Sequence, residues 1–104
     1  MAVLEVKTRK LELNEDGFLA DPNEWDEDVA QSFAANEGIV LTEEHWKIIK
    51  YVRNYWEQFG KEPMIRKLCK ETGVSLERLM ELFPPGPLKT LCKISGLPKP
   101  KGCI

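Results

Sequence analysis

Apolar positions change spacing along the chain, and each change predicts an element. At the amino end they alternate. Val3-Leu4-Glu5-Val6-Lys7 and Leu11-Glu12-Leu13 are short runs separated by Thr8-Arg9-Lys10, the pattern of a small β-hairpin. Asn14-Glu15-Asp16-Gly17 is a turn cluster, after which Phe18 and Leu19 return apolar surface to the body. From Asp21 the period lengthens. Asp21 as cap, Pro22 at the first position and Glu24 three residues after the cap predict a helix start. Trp25, Val29, Ala30, Phe33 and Ala34 form its apolar side, and Gly38 is its stop. Asp26, Glu27 and Asp28 read as favourable charges near that start.

The best-defined helix is capped by Thr42, carries Glu43 and Glu44 in its first turn, and stops at Gly60. Trp46, Ile49, Val52, Trp56 and Phe59 predict its inward stripe, widened by Tyr51 and Tyr55. His45, in the first turn, is expected to be an exposed polar residue. A third helix is predicted over 63–72 with Ile65, Leu68 and Cys69 inward, Cys69 serving as a buried small hydrophobe. Gly73-Val74 then turns and Ser75 caps a fourth helix carrying Leu76, Leu79, Met80, Leu82 and Phe83. These two resemble a helix-turn-helix pair, but Glu77 and Glu81 outnumber Arg78 on the second. Phosphate attraction would fall to Arg66, Lys67 and Lys70, so packing is the leading reading and DNA binding a minor one. Pro84-Pro85-Gly86-Pro87 breaks the run. A last helix over 88–95 points Leu88, Leu91 and Ile94 inward, with Cys92 beside that stripe. The predicted class is mainly α: a small orthogonal helical bundle with a helix-turn-helix-like pair, a short amino-terminal hairpin and a flexible carboxyl arm. The expected division is one helical domain over 1–95 and a mobile arm over 96–104.

Composition narrows the function. A chain of 104 residues allows one domain with a modest core. The first ten residues are charged and no apolar run approaches the ~20 residues of a membrane helix, so a cytoplasmic protein is expected. In a reducing compartment three cysteines point to redox, metal or transfer chemistry rather than to a disulfide framework. With one histidine and no Cys-x-x-Cys pair, zinc is not expected. No cofactor is expected, and neither a nucleophile–base set nor a phosphate-cradling loop suggests autonomous catalysis.

The carboxyl run is the unusual stretch. Prolines 98 and 100 bar a further helix, and from Gly96 to Ile104 the extended chain spans about 30 Å. Cys103 sits one residue from its end. Four of the 15 basic side chains (Lys89, Lys93, Lys99 and Lys101) fall after residue 83, with none of the 17 acidic ones. Such a segment can dock on its own acidic body or steer toward an anionic partner, but on composition alone a solvated lysine tail kept soluble by charge is the leading reading. Its thiol can visit another protein or fold back on Cys92.

Leu82-Phe83-Pro84, Gly86-Pro87, Lys89, Cys92-Lys93-Ile94, Gly96-Leu97-Pro98-Lys99-Pro100 and Gly102-Cys103-Ile104 resemble the carboxyl end of the DsrC/TusE family. Asp16-Gly17-Phe18-Leu19, Trp25 and Leu41-Thr42-Glu43-Glu44-His45-Trp46 extend the resemblance over essentially the whole chain. The segment between Lys70 and Leu82 is shorter than the family pattern, and Leu88 stands where alanine is usual. Cys69 matches no sulfur role there. The resemblance implies a small helical sulfur-relay protein with an amino-terminal hairpin and a mobile carboxyl arm. One branch acts with dissimilatory sulfite reductase as its gamma subunit; the other passes persulfide sulfur toward 2-thiolation of tRNA wobble uridine. It also implies that Cys103 carries the sulfur and that Cys92 is the second cysteine, which the tRNA branch lacks.

The two-cysteine pattern favours the first branch. Sulfite-derived sulfur would load on Cys103, a trisulfide with Cys92 would follow, and a membrane-associated reductase complex would release sulfide. Only a thiolate attacks sulfur effectively; Lys99 and Lys101 favour that form of Cys103 and the terminal carboxylate opposes it. Closing the loop across the 11 positions between the cysteines costs about 3 kcal/mol of chain entropy. The alternatives are a persulfide relay among sulfurtransferases to a tRNA-thiolating enzyme, and a DNA-binding regulator.

Overall fold

Alternation at the amino end produces two paired strands. Val3–Val6 (β1) and Arg9–Glu12 (β2) run antiparallel, Leu4 opposite Leu11 and Val6 opposite Arg9. The structure is a computed structural model and describes residues 3–6, 9–84 and 86–98. The hairpin is tighter than expected, because Arg9 and Lys10 pair in the ladder instead of forming the connection. Leu4, Val6 and Leu11 are buried, whereas Val3 and Glu5 face outward. Two strands alone are marginal in water, so that apolar face needs a cover. Helix α1 (Glu27–Asn36) supplies it.

Asp21 does not start a continuous helix. It caps a short 3-10 turn, Pro22–Glu24, by accepting from the Asn23 N–H at 3.0 Å. The chain is extended at Trp25 and Asp26, and the Asp26 carboxylate caps α1 by accepting from the Val29 N–H at 3.0 Å. Of two competing caps, the second sets the helix start. Trp25 is thereby released from the α1 face.

Helix α2 (Glu43–Phe59) ends at Gly60, whose φ of 71° is left-handed. Its buried stripe is His45, Ile48, Ile49 and Val52, which keeps Ile49 and Val52 of the expected row and puts His45 and Ile48 inside in place of the aromatic residues. Trp46, Tyr51 and Trp56 flank it half-buried, and Phe59 is exposed, its ring tilted against Tyr55 with centroids 4.5 Å apart. Helix α3 begins at Ile65 rather than at Pro63 and runs to Thr72; α4 is Leu76–Leu82 and α5 is Pro87–Ile94. Helices this short do not persist alone and depend on packing. Here α3 packs on α2 and α4, while α5 touches α1, α2 and α4. Phe18, Phe33, Ile48, Leu68, Leu79, Phe83, Leu91 and Ile94 are sealed in the core they share.

His45 overturns the exposed reading. It is buried, edge-on to Phe83, with its Nε2 2.8 Å from the Leu82 carbonyl. The Thr42 N–H donates to Nδ1 at 3.1 Å, which leaves the proton on Nε2 to be donated to Leu82. One imidazole therefore closes the start of α2 and receives the end of α4. We expect His45→Ala to cost about 2 kcal/mol, because the Leu82 carbonyl and Thr42 amide lose their partner. Urea-unfolding midpoints of the variant and parent measure it.

Candidate functional site

Pro87 occupies the first position of α5, where its missing N–H costs nothing, and Gly86 precedes it as cap. The helix is covered on several sides, so six of its eight residues are buried. Cys92, expected beside the stripe, belongs to the core and is 0% exposed. Burial, followed by the nearby Glu62 carboxylate, pushes its thiol up to about 12. At neutral pH it is a protonated thiol shielded from reagents.

The carboxyl end of α5 has an unusually complete set of hydrogen bonds. A helix normally leaves its last carbonyls without intrahelical donors. Here the Ser95 N–H donates to Leu91 O at 2.9 Å, and the Leu97 N–H donates to Cys92 O at 2.9 Å. The Gly96 N–H donates to Lys93 O at 3.2 Å. With Gly96 at φ 72°, the last two bonds are a Schellman closure. Beyond them, Trp25 Nε1–H donates to Ile94 O at 2.9 Å and Arg53 Nη1–H to Ser95 O at 3.0 Å. Leu97 is fully buried as the apolar part of the closure. Gly96 and Leu97, which the sequence reading assigned to the arm, are thus packed into the body; Pro98 is exposed. The Ser95 hydroxyl is buried without a partner among the described residues.

Charges flank this end. Lys93 pairs with Glu37 at 3.2 Å and lies 5.9 Å from the Phe18 ring centroid, tying α5 to the end of α1. Arg53 lies between aromatic rings, its guanidinium carbon 4.6 Å from the Trp25 centroid and 5.9 Å from that of Trp56. Sequence reasoning missed Arg53 because it occupies a polar position beside the α2 stripe, with no periodic signal. Trp25 has a helical apolar signal and a place in the family resemblance, and neither gives its contact with α5.

The other candidates fall elsewhere. Cys103 lies outside the described residues. Cys69 is half-buried against the core rather than fully inside, and burial raises its thiol from the ordinary range. In the helix-turn-helix-like pair, Leu79, Leu82 and Phe83 are inside, whereas Leu76 and Met80 are exposed. Arg78, the basic side chain of α4, is committed to Glu44 at 2.8 Å and Glu81 at 3.3 Å. Helix α4 therefore presents an acidic and apolar surface, unfavourable for a phosphate backbone. A groove of about 460 Å³ between α1 and α2 is bordered by Glu27, Gln31, Glu43, Trp46, Lys47 and Lys50, and no cysteine among the described residues lines it. Among the described residues there is no cluster of three metal-ligating side chains, and no helix is long and apolar enough to cross a membrane.

Known proteins share this arrangement. Residues 5–104, which include both Cys92 and Cys103, match the family model described as DsrC like protein. The chain is 41% identical over 105 residues to the gamma subunit of dissimilatory-type sulfite reductase from Nitratidesulfovibrio vulgaris, covering 100% of both chains. It is 42% identical over 110 residues to the sulfurtransferase TusE of Pectobacterium atrosepticum, covering 98% of this chain and 100% of that one. Its fold is similar to the crystal structure of the oxidized gamma subunit of dissimilatory sulfite reductase (DsrC) from Archaeoglobus fulgidus. That match has a TM-score of 0.89 and 48% identity, over 99% of this chain and 100% of the other. A hairpin-capped helical core ending in the closed turn at Gly96, with both cysteines inside the matched span, places this chain in the DsrC family.

Proposed function

We propose that this protein is a sulfur carrier of the dissimilatory sulfite reductase system. In the reductase, two electrons from its donor take sulfite sulfur from the +4 to the +2 level. The Cys103 thiol bonds this S(OH)2-level sulfur with loss of one water, and the Cys92 thiol then displaces the remaining hydroxyl as a second water to close the trisulfide. Reduction of both sulfur–sulfur bonds by a membrane-associated reductase complex returns two thiols and releases sulfide. The observation that carries this reading is the burial of Cys92. Cys92 lies at the closed end of α5, and burial keeps its thiol protonated at pH 7. A sulfur that stays buried cannot load at a foreign active site, so of these two cysteines burial disfavours Cys92 and supports Cys103 as the loading thiol. Cys92 would react only after exposure, once Cys103 has brought its cargo back.

The TusE relative favours a second reading, a persulfide relay to tRNA 2-thiolation that needs Cys103 alone. Intact-mass analysis separates the two. The parent, Cys92→Ala and Cys103→Ala are incubated with dissimilatory sulfite reductase, sulfite and an electron donor. The parent should gain one sulfur atom and lose both free thiols. Cys103→Ala should gain nothing, and Cys92→Ala should stop at an open Cys103 adduct. An unmodified parent refutes the sulfite reductase reading. A Cys92→Ala protein as competent as the parent in tRNA thiolation, with no sulfur gained from the reductase, favours the relay.

A further inference from the structure

We propose that Arg53 and Trp25 act as positioning residues for the sulfur-transfer thiols, fixing where the carboxyl segment leaves the body relative to Cys92. This rests on the two-cysteine reading above. Arg53 is an expensive residue for a core-facing position. Its side chain is 13% exposed, burial lowers its pKa, and the Glu57 carboxylate is 3.9 Å away and itself largely exposed. An apolar side chain of similar volume would fill the space without desolvating a charge. What the guanidinium provides is direction. It donates to Ser95 O at 3.0 Å and to Pro22 O at 3.3 Å, and it faces the Trp25 ring at 4.6 Å. Trp25 in turn donates to Ile94 O and lies so close to Gly96 that a Cβ there would meet its Cδ1 at 2.4 Å.

The cation thus sits at the negative end of the α5 dipole and against π faces. Three segments meet at it: α2, the turn before α1, and the last turn of α5. Cys92 lies three residues before Ser95 and contributes its own carbonyl to the same closure. Holding Ser95, Gly96 and Leu97 in one geometry restricts the starting point and initial direction of the chain that carries Cys103. That restriction sets the effective concentration of one thiol at the other, as orientation does in any intramolecular reaction.

The test uses the full chain. In glutathione buffers, Cys92–SH and Cys103–SH react with glutathione disulfide to give the Cys92–Cys103 disulfide and two molecules of glutathione. The equilibrium constant reports the effective concentration. Arg53→Met keeps volume without the donors, Arg53→Lys keeps a cation, and Trp25→Phe removes only the indole donor. Amide hydrogen exchange at Ser95, Gly96 and Leu97 is followed in parallel, with Ile48 and Val52 as core references.

Arg53→Met should lose protection at the three turn amides, keep it at the references, and lower the effective concentration at least about tenfold. Arg53→Lys should recover part of this, and Trp25→Phe should shift both readouts in the same direction by less. An unchanged constant in Arg53→Met and Trp25→Phe, with a normal disulfide in the parent, overturns the positioning role alone. Equal loss of protection at turn and core makes Arg53 a stability residue and also overturns it. A parent that forms no Cys92–Cys103 disulfide overturns the two-cysteine reading, and the positioning role with it.

Discussion

Gly96→Ala is expected to destabilise the protein by about 3 kcal/mol, lowering Tm by roughly 15 °C. Two costs add. A non-glycine residue at φ 72° pays about 1–2 kcal/mol for left-handed backbone. The new methyl would also approach Trp25 Cδ1, Cβ and Cγ at 2.4–2.7 Å, and these atoms belong to the near end of a ring held by its bond to Ile94. The ring cannot yield without breaking that bond or the Arg53 stack. Gly60→Ala is the matched control, because Gly60 has φ 71° and nothing within 4 Å of the added Cβ. It should lose only the backbone cost. If thermal unfolding finds the two variants equal, the close packing of Trp25 on the α5 closure is wrong.

The second large effect is on alkaline stability. The Cys92 thiol is raised from its ordinary value near 9 to about 12, chiefly by burial and further by Glu62. Below pH 9 both folded and unfolded chains hold this proton, and Cys92 contributes no pH dependence. Between about pH 9 and 12 the unfolded chain releases it while the folded chain keeps it, so stability falls as pH rises. The slope approaches about 1.4 kcal/mol per pH unit from this group alone. Other groups titrate there too, Tyr51 among them, raised by burial. The informative quantity is therefore the difference between parent and Cys92→Ala in urea midpoints across that range. Parallel curves would mean that the thiol is not held in the protonated interior. Under the proposed carrier role, a second thiol held inert at rest would avoid premature disulfide exchange.

Much of the architecture was legible in the residues. Alternation at Val3–Val6 gives strands because a pleat has period two, and Thr42, Ser75 and Gly60 mark helix ends through local chemistry that needs no neighbours. The spacing of Cys92 and Cys103 and the proline-punctuated carboxyl run are also properties of the chain alone. What the chain alone left open was decided by which faces met. His45 is polar and first-turn, features of an exposed residue, yet α4 brings the Leu82 carbonyl to it. Asp21 and Asp26 are both competent caps, and the extended break between them frees Trp25 to dock on α5. Cys92 flanks an apolar stripe by spacing, but α5 is covered by α1, α2 and α4, and the thiol becomes interior. Hydrogen bonds within a few residues are encoded in sequence order. A dielectric environment, and a guanidinium seated on another helix's last carbonyls, exist only once distant segments have closed around them.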